Sequence, residues 1–326
     1  MTAPLLDIRN LTIDFGSKGR PLRVVNNVSF TVAPGEAVGV VGESGSGKSM
    51  TALSILRLVP EPPARISGQI LFEGTDLAQV ALRDMPRIRG RDIGMIFQEP
   101  MSSLNPVMTI GNQIEEAILL HTDMTPSERR ARVIDLLRLV GMADPEGRLR
   151  AYPDQFSGGM RQRVVAAIAM ACNPKLLIAD EPTTALDVTI QAQVMELMLD
   201  IRREFNSAIL LISHDLGVVA EICERVVVMY AGHILEDSDV RSMFRNPRHP
   251  YTRGLLQSVP TLTETRRRLY QIPGSVPPPG TMTQGCPFRP RCDLRMDRCT
   301  TEMPPMVRQG PAHSAACWAT AAEAMA

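Results

Sequence analysis

Three short runs in this chain carry residue types and spacings suited to chemistry on a polyphosphate. The first, Gly42-Glu43-Ser44-Gly45-Ser46-Gly47-Lys48-Ser49, reads G-x-x-x-x-G-K-S. Its glycines let a backbone curl until successive N–H groups point inward at an anion. Lys48 is placed to reach the terminal phosphates, and the Ser49 hydroxyl to fill one position on a Mg²⁺ ion. The second run, Leu176-Leu177-Ile178-Ala179-Asp180-Glu181, is apolar until it ends in two carboxylates. Asp180 there suits Mg²⁺ held through water, and Glu181 suits polarising an attacking water. The third, Ile209-Leu210-Leu211-Ile212-Ser213, ends at His214 and Asp215, where a histidine is placed to sense a γ-phosphate. Together these residues point to a nucleoside triphosphate with magnesium.

Such residues work only if the elements around them deliver them correctly. Ala37-Val38-Gly39-Val40-Val41 predicts a strand running into the glycine loop, and Met50 to Leu58 a helix leaving it, closed by Pro60, Pro62 and Pro63. That helix aims its N-terminal partial positive charge at the same anion. The two uninterrupted apolar runs predict strands buried on both faces of a parallel sheet, with the acids and His214 emerging at their carboxyl ends. Leu6 to Arg9 and Val28 to Val32 alternate and predict edge strands, with further strands over Ile66–Phe72 and Asp92–Phe97. From Asn105 to about Ala171 the pattern turns helical, with Ile114, Ile118 and Leu119 on one spacing and Val133, Leu136, Leu137 and Val140 on another. Thr125-Pro126-Ser127-Glu128 marks a helix start between them. Ser157-Gly158-Gly159 opens a further helix and makes a second anion-seeking N-terminus, for which one triphosphate in one chain has no evident use.

Bulk composition narrows the setting. A chain of 326 residues holds one large domain, or one plus an appendage. Its formal net charge is zero, so there is no electrostatic case for a nucleic-acid partner. The N-terminus has neither a basic region nor an apolar core, so no signal peptide is expected. No window approaches the roughly 20 apolar residues of a membrane span, so work at a membrane would fall to a peripheral subunit.

In this order the motifs resemble the ATP-binding cassette (ABC) ATPases, the nucleotide-binding subunits of ABC transporters, over most of residues 5–240. Gly42 to Ser49 looks like Walker A, and Gln98, in Ile96-Phe97-Gln98-Glu99-Pro100, like the Q-loop glutamine that touches Mg²⁺ and the attacking water. Ser157-Gly158-Gly159 looks like the signature, with Phe156 and Met160 where Leu and Gln are commoner. Asp180 and Glu181 match Walker B and its catalytic glutamate, Ala185-Leu186-Asp187 the D-loop, and His214 the switch histidine. Phe15 is in register with the aromatic that stacks on adenine. The resemblance implies an α/β P-loop NTPase fold with a RecA-like core, an antiparallel β subdomain and a helical subdomain at about 100–171, all within residues 1–245. It also implies that two cassettes pair head to tail, the partner being a sister or an identical chain. Each ATP would then lie between Gly42, Ser44, Gly45, Ser46, Gly47, Lys48 and Ser49 of one cassette and Ser157, Gly158 and Gly159 of the other, with Asp187 at the same interface. By the same resemblance, the loop Glu99–Pro106 is the candidate surface for a coupling helix of a membrane subunit.

Residues 246–326 read as an extension. It begins with Arg248-His249-Pro250-Tyr251-Thr252-Arg253-Gly254-Leu255-Leu256 and crosses a linker, Pro273 to Pro279, too stiff and donor-poor for helix or central strand. The His249 segment, the Glu99–Pro106 loop and Ser157-Gly158-Gly159-Met160-Arg161-Gln162-Arg163 resemble the dipeptide/oligopeptide importer subfamily. That resemblance implies short peptides, captured outside by a solute-binding protein and moved through two membrane permease subunits, with this chain peripheral on the cytoplasmic face of the inner membrane. Relatives in that subfamily import nickel or glutathione, which stay open as alternatives. A non-transport ABC ATPase of the DNA-repair kind would carry long heptads before the signature, and none is present here.

Beyond the linker stand Cys286, Cys292, Cys299 and Cys317, spaced C-x5-C-x6-C-x17-C. A segment so poor in apolar residues calls for a covalent or metal staple. Disulfides are disfavoured without an oxidising compartment. Zinc favours closely spaced ligand pairs, whereas an iron–sulfur cluster takes four thiolates at wider spacing. The importer resemblance implies a 4Fe-4S cluster on this tail, with zinc or unmetallated thiols as alternatives. Cys172 and Cys223 read as small core residues, and His313 as a surface histidine or a substitute ligand.

Overall fold

The computed structural model describes residues 3–16, 21–98, 103–183, 188–259, 270–282 and 284–324, without the side chains of 188–190, 201 and 322–324. The chain packs as two compact units, one formed by Met1–Val32, Ala37–Gln79 and Ser213–Ala326, the other by Ala33–Glu36 and Val80–Ile212.

The first unit contains an antiparallel sheet of β1 (Leu6–Phe15), β2 (Leu22–Val32), β4 (Arg65–Phe72) and β5 (Thr75–Asp76), ordered β2-β1-β4-β5. Alternation puts Leu6 and Ile8 inward, yet the next buried residues of β1 are Leu11 and Ile13, one place out of step. A bulge absorbs the extra residue: Asn10 has φ 50°, and the β1–β4 register shifts between Arg9 and Thr12. Asparagine tolerates that left-handed backbone better than most residues.

The same unit holds β3 (Ala37–Val41), every residue buried, which runs parallel to β9 (Arg225–Tyr230). β9 pairs antiparallel with β10 (His233–Asp239), β10 with β12 (His313–Ala315), and β12 with β11 (Val307–Gly310). The extension therefore lengthens the sheet that carries the glycine loop. Three helices of this unit matter below: α1 (Lys48–Ile55), α6 (Leu216–Ile222) and α7 (Pro250–Gln257).

The second unit is built on parallel strands β6 (Ile93–Ile96), β7 (Leu176–Asp180) and β8 (Ala208–Ser213), with β7 between the other two and wholly buried. Its helices are α2 (Ile110–His121), α3 (Pro126–Leu139), α4 (Gly158–Ala169) and α5 (Val188–Phe205). The expected start of α3 is a capping box: Glu128 N–H donates to Thr125 Oγ1, and Thr125 N–H donates to Glu128 Oε2 at 2.7 Å. Ile114, Ile118, Val133, Leu136, Leu137 and Val140 are buried as expected, but Leu119 is 54 % exposed. One residue beyond Ile118 turns 100° round the helix, off the packed face. Among the described residues no helix is long and apolar enough to cross a membrane.

The expectation of a surface His313 is corrected. It is only 7 % exposed, and its Nε2 donates to Glu236 Oε1 at 2.6 Å. Glu236, fully buried on β10, also accepts the N–H groups of Arg248 (2.7 Å) and His249 (2.8 Å). Burial alone would raise its pKa, but these hydrogen bonds outweigh that and hold it below the ordinary 4.5. Burial pushes His249 down to about 4, so its neutral Nδ1 accepts the Tyr251 N–H at 3.0 Å and caps α7.

Glu236→Ala leaves those donors without an acceptor and is expected to cost about 3–5 kcal/mol in urea unfolding. A folded pKa below the unfolded one gives stability that is complete above the unfolded pKa and lost as pH falls through the folded pKa. The stability gap between wild type and Glu236→Ala should therefore hold at neutral pH and narrow on acidification below 4.5.

Candidate nucleotide-binding and hydrolysis sites

In the first unit the chain leaves β3 through the glycine loop and enters α1 at its N-cap, Gly47. Gly42 has φ 154°, and a Cβ there would lie 2.1 Å from the Met229 carbonyl oxygen, so only glycine fits. Lys48 is buried, and its Nζ donates to the carbonyls of Gly42 (2.8 Å) and Glu43 (3.0 Å) and to Ser46 Oγ (3.4 Å). The ammonium thus bridges the loop through oxygens that phosphate oxygens can replace. Ser44 and Gly45 are exposed at the tip, Ser46 and Gly47 are buried, and Ser49 is half-buried on the first turn of α1. Phe15 lies half-buried at the end of β1, opposite Leu22. His214 follows β8 and is exposed, while Asp215 caps α6 by accepting the Gly217 N–H at 2.8 Å and the Val218 N–H at 3.4 Å.

In the second unit β7 ends at buried Asp180 and is followed by Glu181 in a left-handed conformation, φ 48°. Non-glycine residues adopt that backbone only where surrounding structure enforces it; here the Glu181 N–H donates to the Ile212 carbonyl at 2.9 Å. Gln98, just after β6, donates from Nε2 to Glu181 Oε2 at 3.1 Å. A carboxylate and an amide so joined can together orient one water. Ser157 is the N-cap of α4, its Oγ accepting the Met160 N–H at 3.4 Å. Gly159 is buried and Gly158 exposed; a Cβ on Gly158 would meet none of the described residues within 4 Å. The D-loop residues Ala185, Leu186 and Asp187 lie outside the described residues, as do Glu99 to Ser102. Of the remaining candidate coupling loop, Leu104 is buried and the Asn105 N–H donates to Gln113 Oε1 at 2.8 Å.

Two residues that sequence reasoning did not connect with the loop reach it from the extension. Tyr251 and Arg291 both bind Glu43. The only trace in the sequence is that Tyr251 belongs to the His249-Pro250-Tyr251 run.

No described cysteine is disulfide-bonded; Cys286, Cys299 and Cys317 are buried and Cys292 half-buried. The Cys286 N–H donates to the Cys299 carbonyl at 2.8 Å. Burial first, then the neighbouring Cys299, Cys292 and Cys317, push the Cys286 thiol up to about 12. Burial, with Cys317 and Cys299 among its neighbours, pushes Cys292 up to about 11. The four thiols are thus within electrostatic reach of one another. Among the described residues, though, no three His, Cys, Asp or Glu side chains form a group tight enough to hold one metal ion. Cys223 is buried as expected, while Cys172 is half-buried.

The ABC transporter family model matches residues 25–184, and the model for the oligopeptide/dipeptide transporter C-terminal region matches residues 235–299. The chain is 50 % identical over 315 residues to the oligopeptide transport ATP-binding protein AppD of Bacillus subtilis, covering 96 % of each. It belongs to the peptide ABC transporter ATP-binding proteins. The dipeptide transport ATP-binding protein DppD of Escherichia coli is 48 % identical, with 92 % of each chain covered. Among solved structures, the dimeric post-hydrolysis state of the ATP-binding cassette MJ0796 bound to ADP and Pi matches with a TM-score of 0.64 and 26 % identity, over 72 % of this chain and 99 % of that one.

For this cassette, Gly42→Ala is expected to displace the loop from Met229 and abolish ATP binding while the far-UV circular dichroism stays that of a folded protein. Calorimetric titration with ATP checks it, and wild-type affinity would contradict the steric reading.

Proposed function

We propose that this chain is the ATP-hydrolysing subunit of an importer of short peptides, and that residues 1–245 form its cassette, with the helical part at about 100–171, and 246–326 its extension. The observation that carries the catalytic reading is the Gln98–Glu181 hydrogen bond at the carboxyl end of β7. In this reading the backbone of Gly42 to Gly47 and the Lys48 ammonium hold the phosphates, with Phe15 against the adenine. Ser49, Gln98 and Asp180 would hold Mg²⁺, which would neutralise charge on the phosphates. Glu181 accepts a proton from the attacking water, while His214 senses the γ-phosphate.

The second anion-seeking helix serves a second cassette, identical or sister, in a head-to-tail pair. Ser157, Gly158 and Gly159, with Asp187, would meet the nucleotide held by that partner. Support comes from Gly158, whose open surroundings leave room for another molecule to approach the start of α4. ATP held between two chains makes closure depend on the γ-phosphate, the only part whose contacts change on hydrolysis. The pair would act on the cytoplasmic face of the inner membrane, beneath two permease subunits fed by an extracytoplasmic solute-binding protein. The relatives named for oligopeptide and dipeptide transport support peptides as the solute.

Cys286, Cys292, Cys299 and Cys317 would hold a 4Fe-4S cluster as thiolates. Their freedom from disulfides, and the Cys286 N–H bonded to the Cys299 carbonyl, support this reading. Bound iron would add local positive charge that reverses the raised thiol pKa values.

Glu181→Gln should keep ATP affinity and lower turnover by about 10²–10⁴-fold, the usual weight of a general base; wild-type turnover would remove Glu181 from the mechanism. Iron and acid-labile sulfide, assayed on anaerobically purified chain, are expected in equal amounts per polypeptide. Zinc in their place would assign the four thiols to zinc.

A further inference from the structure

Glu43 is the second residue of the phosphate-binding loop, and all three of its polar groups are engaged. Its carbonyl accepts from Lys48 Nζ at 3.0 Å. Its N–H donates to the Tyr251 hydroxyl at 2.8 Å. Its carboxylate receives both prongs of the Arg291 guanidinium, Nη1 to Oε2 at 2.7 Å and Nη2 to Oε1 at 3.1 Å. The last two partners come from the C-terminal extension, 208 and 248 residues away in sequence.

Arg291 is built into place. Its side chain is 5 % exposed. Its Nε donates to the Pro273 carbonyl at 2.9 Å, Nη2 also to the Ile272 carbonyl at 3.1 Å, and Nη1 to the Tyr230 hydroxyl at 3.3 Å. The guanidinium lies over the rings of Tyr230 (5.7 Å) and Phe288 (5.9 Å). Those rings and Tyr251 form one cluster, with centroids 4.7 Å apart for Tyr230–Tyr251 and 5.3 Å for both Tyr230–Phe288 and Tyr251–Phe288. Burial raises the Tyr251 pKa well above the ordinary phenol value, so the group facing Glu43 stays an uncharged hydroxyl.

An ion pair whose arginine is buried and whose carboxylate is 27 % exposed adds little net stability, because lost hydration offsets the attraction. What a two-pronged guanidinium–carboxylate contact supplies is fixed geometry. Here that geometry is imposed on Glu43, whose carbonyl is one of the two that position Lys48. Arg291 itself ends the short 3₁₀ turn Arg289–Arg291 between Cys286 and Cys292, so the cysteine segment carries the clamp.

We propose that Arg291 is a positioning residue for nucleotide binding: through Glu43 it holds the loop and Lys48 in the shape that receives a triphosphate. The C-terminal extension thereby sets the affinity of the loop for ATP. This rests on reading residues 42–49 as the ATP site.

The test uses the full chain. ATP affinity is measured by titration with a fluorescent ATP analogue, alongside KM and kcat for hydrolysis, in wild type, Arg291→Met, Arg291→Lys, Glu43→Gln and the Arg291→Met/Glu43→Gln double variant. Arg291→Met and Glu43→Gln should each weaken binding about tenfold, within the ~5–150-fold range of coupling between sites. In Arg291→Met, KM should rise while kcat at saturating ATP stays put. Arg291→Lys, which keeps the charge but loses the fork, should fall between wild type and Arg291→Met. The double variant should bind no worse than the weaker single one, because both remove the same contact. If Arg291→Met does not fold, Glu43→Gln carries the test, since it preserves shape and a hydrogen-bonding group. Wild-type affinity in folded Glu43→Gln, or losses that simply add in the double variant, would overturn the proposal. Wild-type protein that binds no ATP would sink the ATP reading itself instead.

Discussion

The first unit depends on one close approach, that of Gly42 to the end of β9. With the Met229 carbonyl oxygen 2.1 Å from where a Cβ would stand, the loop and the strand interlock through bare backbone. β9 runs parallel to β3, the strand that feeds the loop, so both walls of this contact belong to one ladder. A phosphate-binding loop needs such support because its N–H groups point inward at a ligand and so stay out of the sheet's own hydrogen bonding. The next residue of β9, Tyr230, hydrogen-bonds Arg291, so the support continues into the extension.

Buried charge follows a consistent pattern in this protein. Glu236 is fully buried and accepts three hydrogen bonds, from His313 and two backbone N–H groups. The Arg291 side chain is 5 % exposed and meets a carboxylate, two carbonyls and a phenol. In a low-dielectric interior each such group is tolerable only when its partners are complete. These two charges tie described residues of the extension to β10 and to the glycine loop.

In the second unit the chemistry stands on rigid supports. Asp180 ends a strand buried on both faces, and Glu181 follows in a left-handed turn held by the Ile212 carbonyl. The Gln98 amide then fixes the Glu181 carboxylate. Three successive strands of one parallel sheet thus set the position of a single side chain.

Much of this was legible in the residues alone. The strand–glycine loop–helix unit, the buried strands delivering Asp180 and His214, and the helix starts at Ser157 and Thr125 were all foreseen, because each is written in neighbouring residues. Glycine spacing, apolar runs and caps act over a few positions, so sequence by itself determined those local shapes and the chemistry they suit. The bulge at Asn10 and the exposure of Leu119 were not visible, since register and helix face are settled by what packs opposite. Nor were the partners of His313, Glu181 and Arg291, which lie 77, 83 and 248 residues away along the chain. A side-chain hydrogen bond across such a distance leaves no periodicity for sequence to show. Only the tertiary structure, by choosing which strands lie side by side, decided that Arg291 would face Glu43.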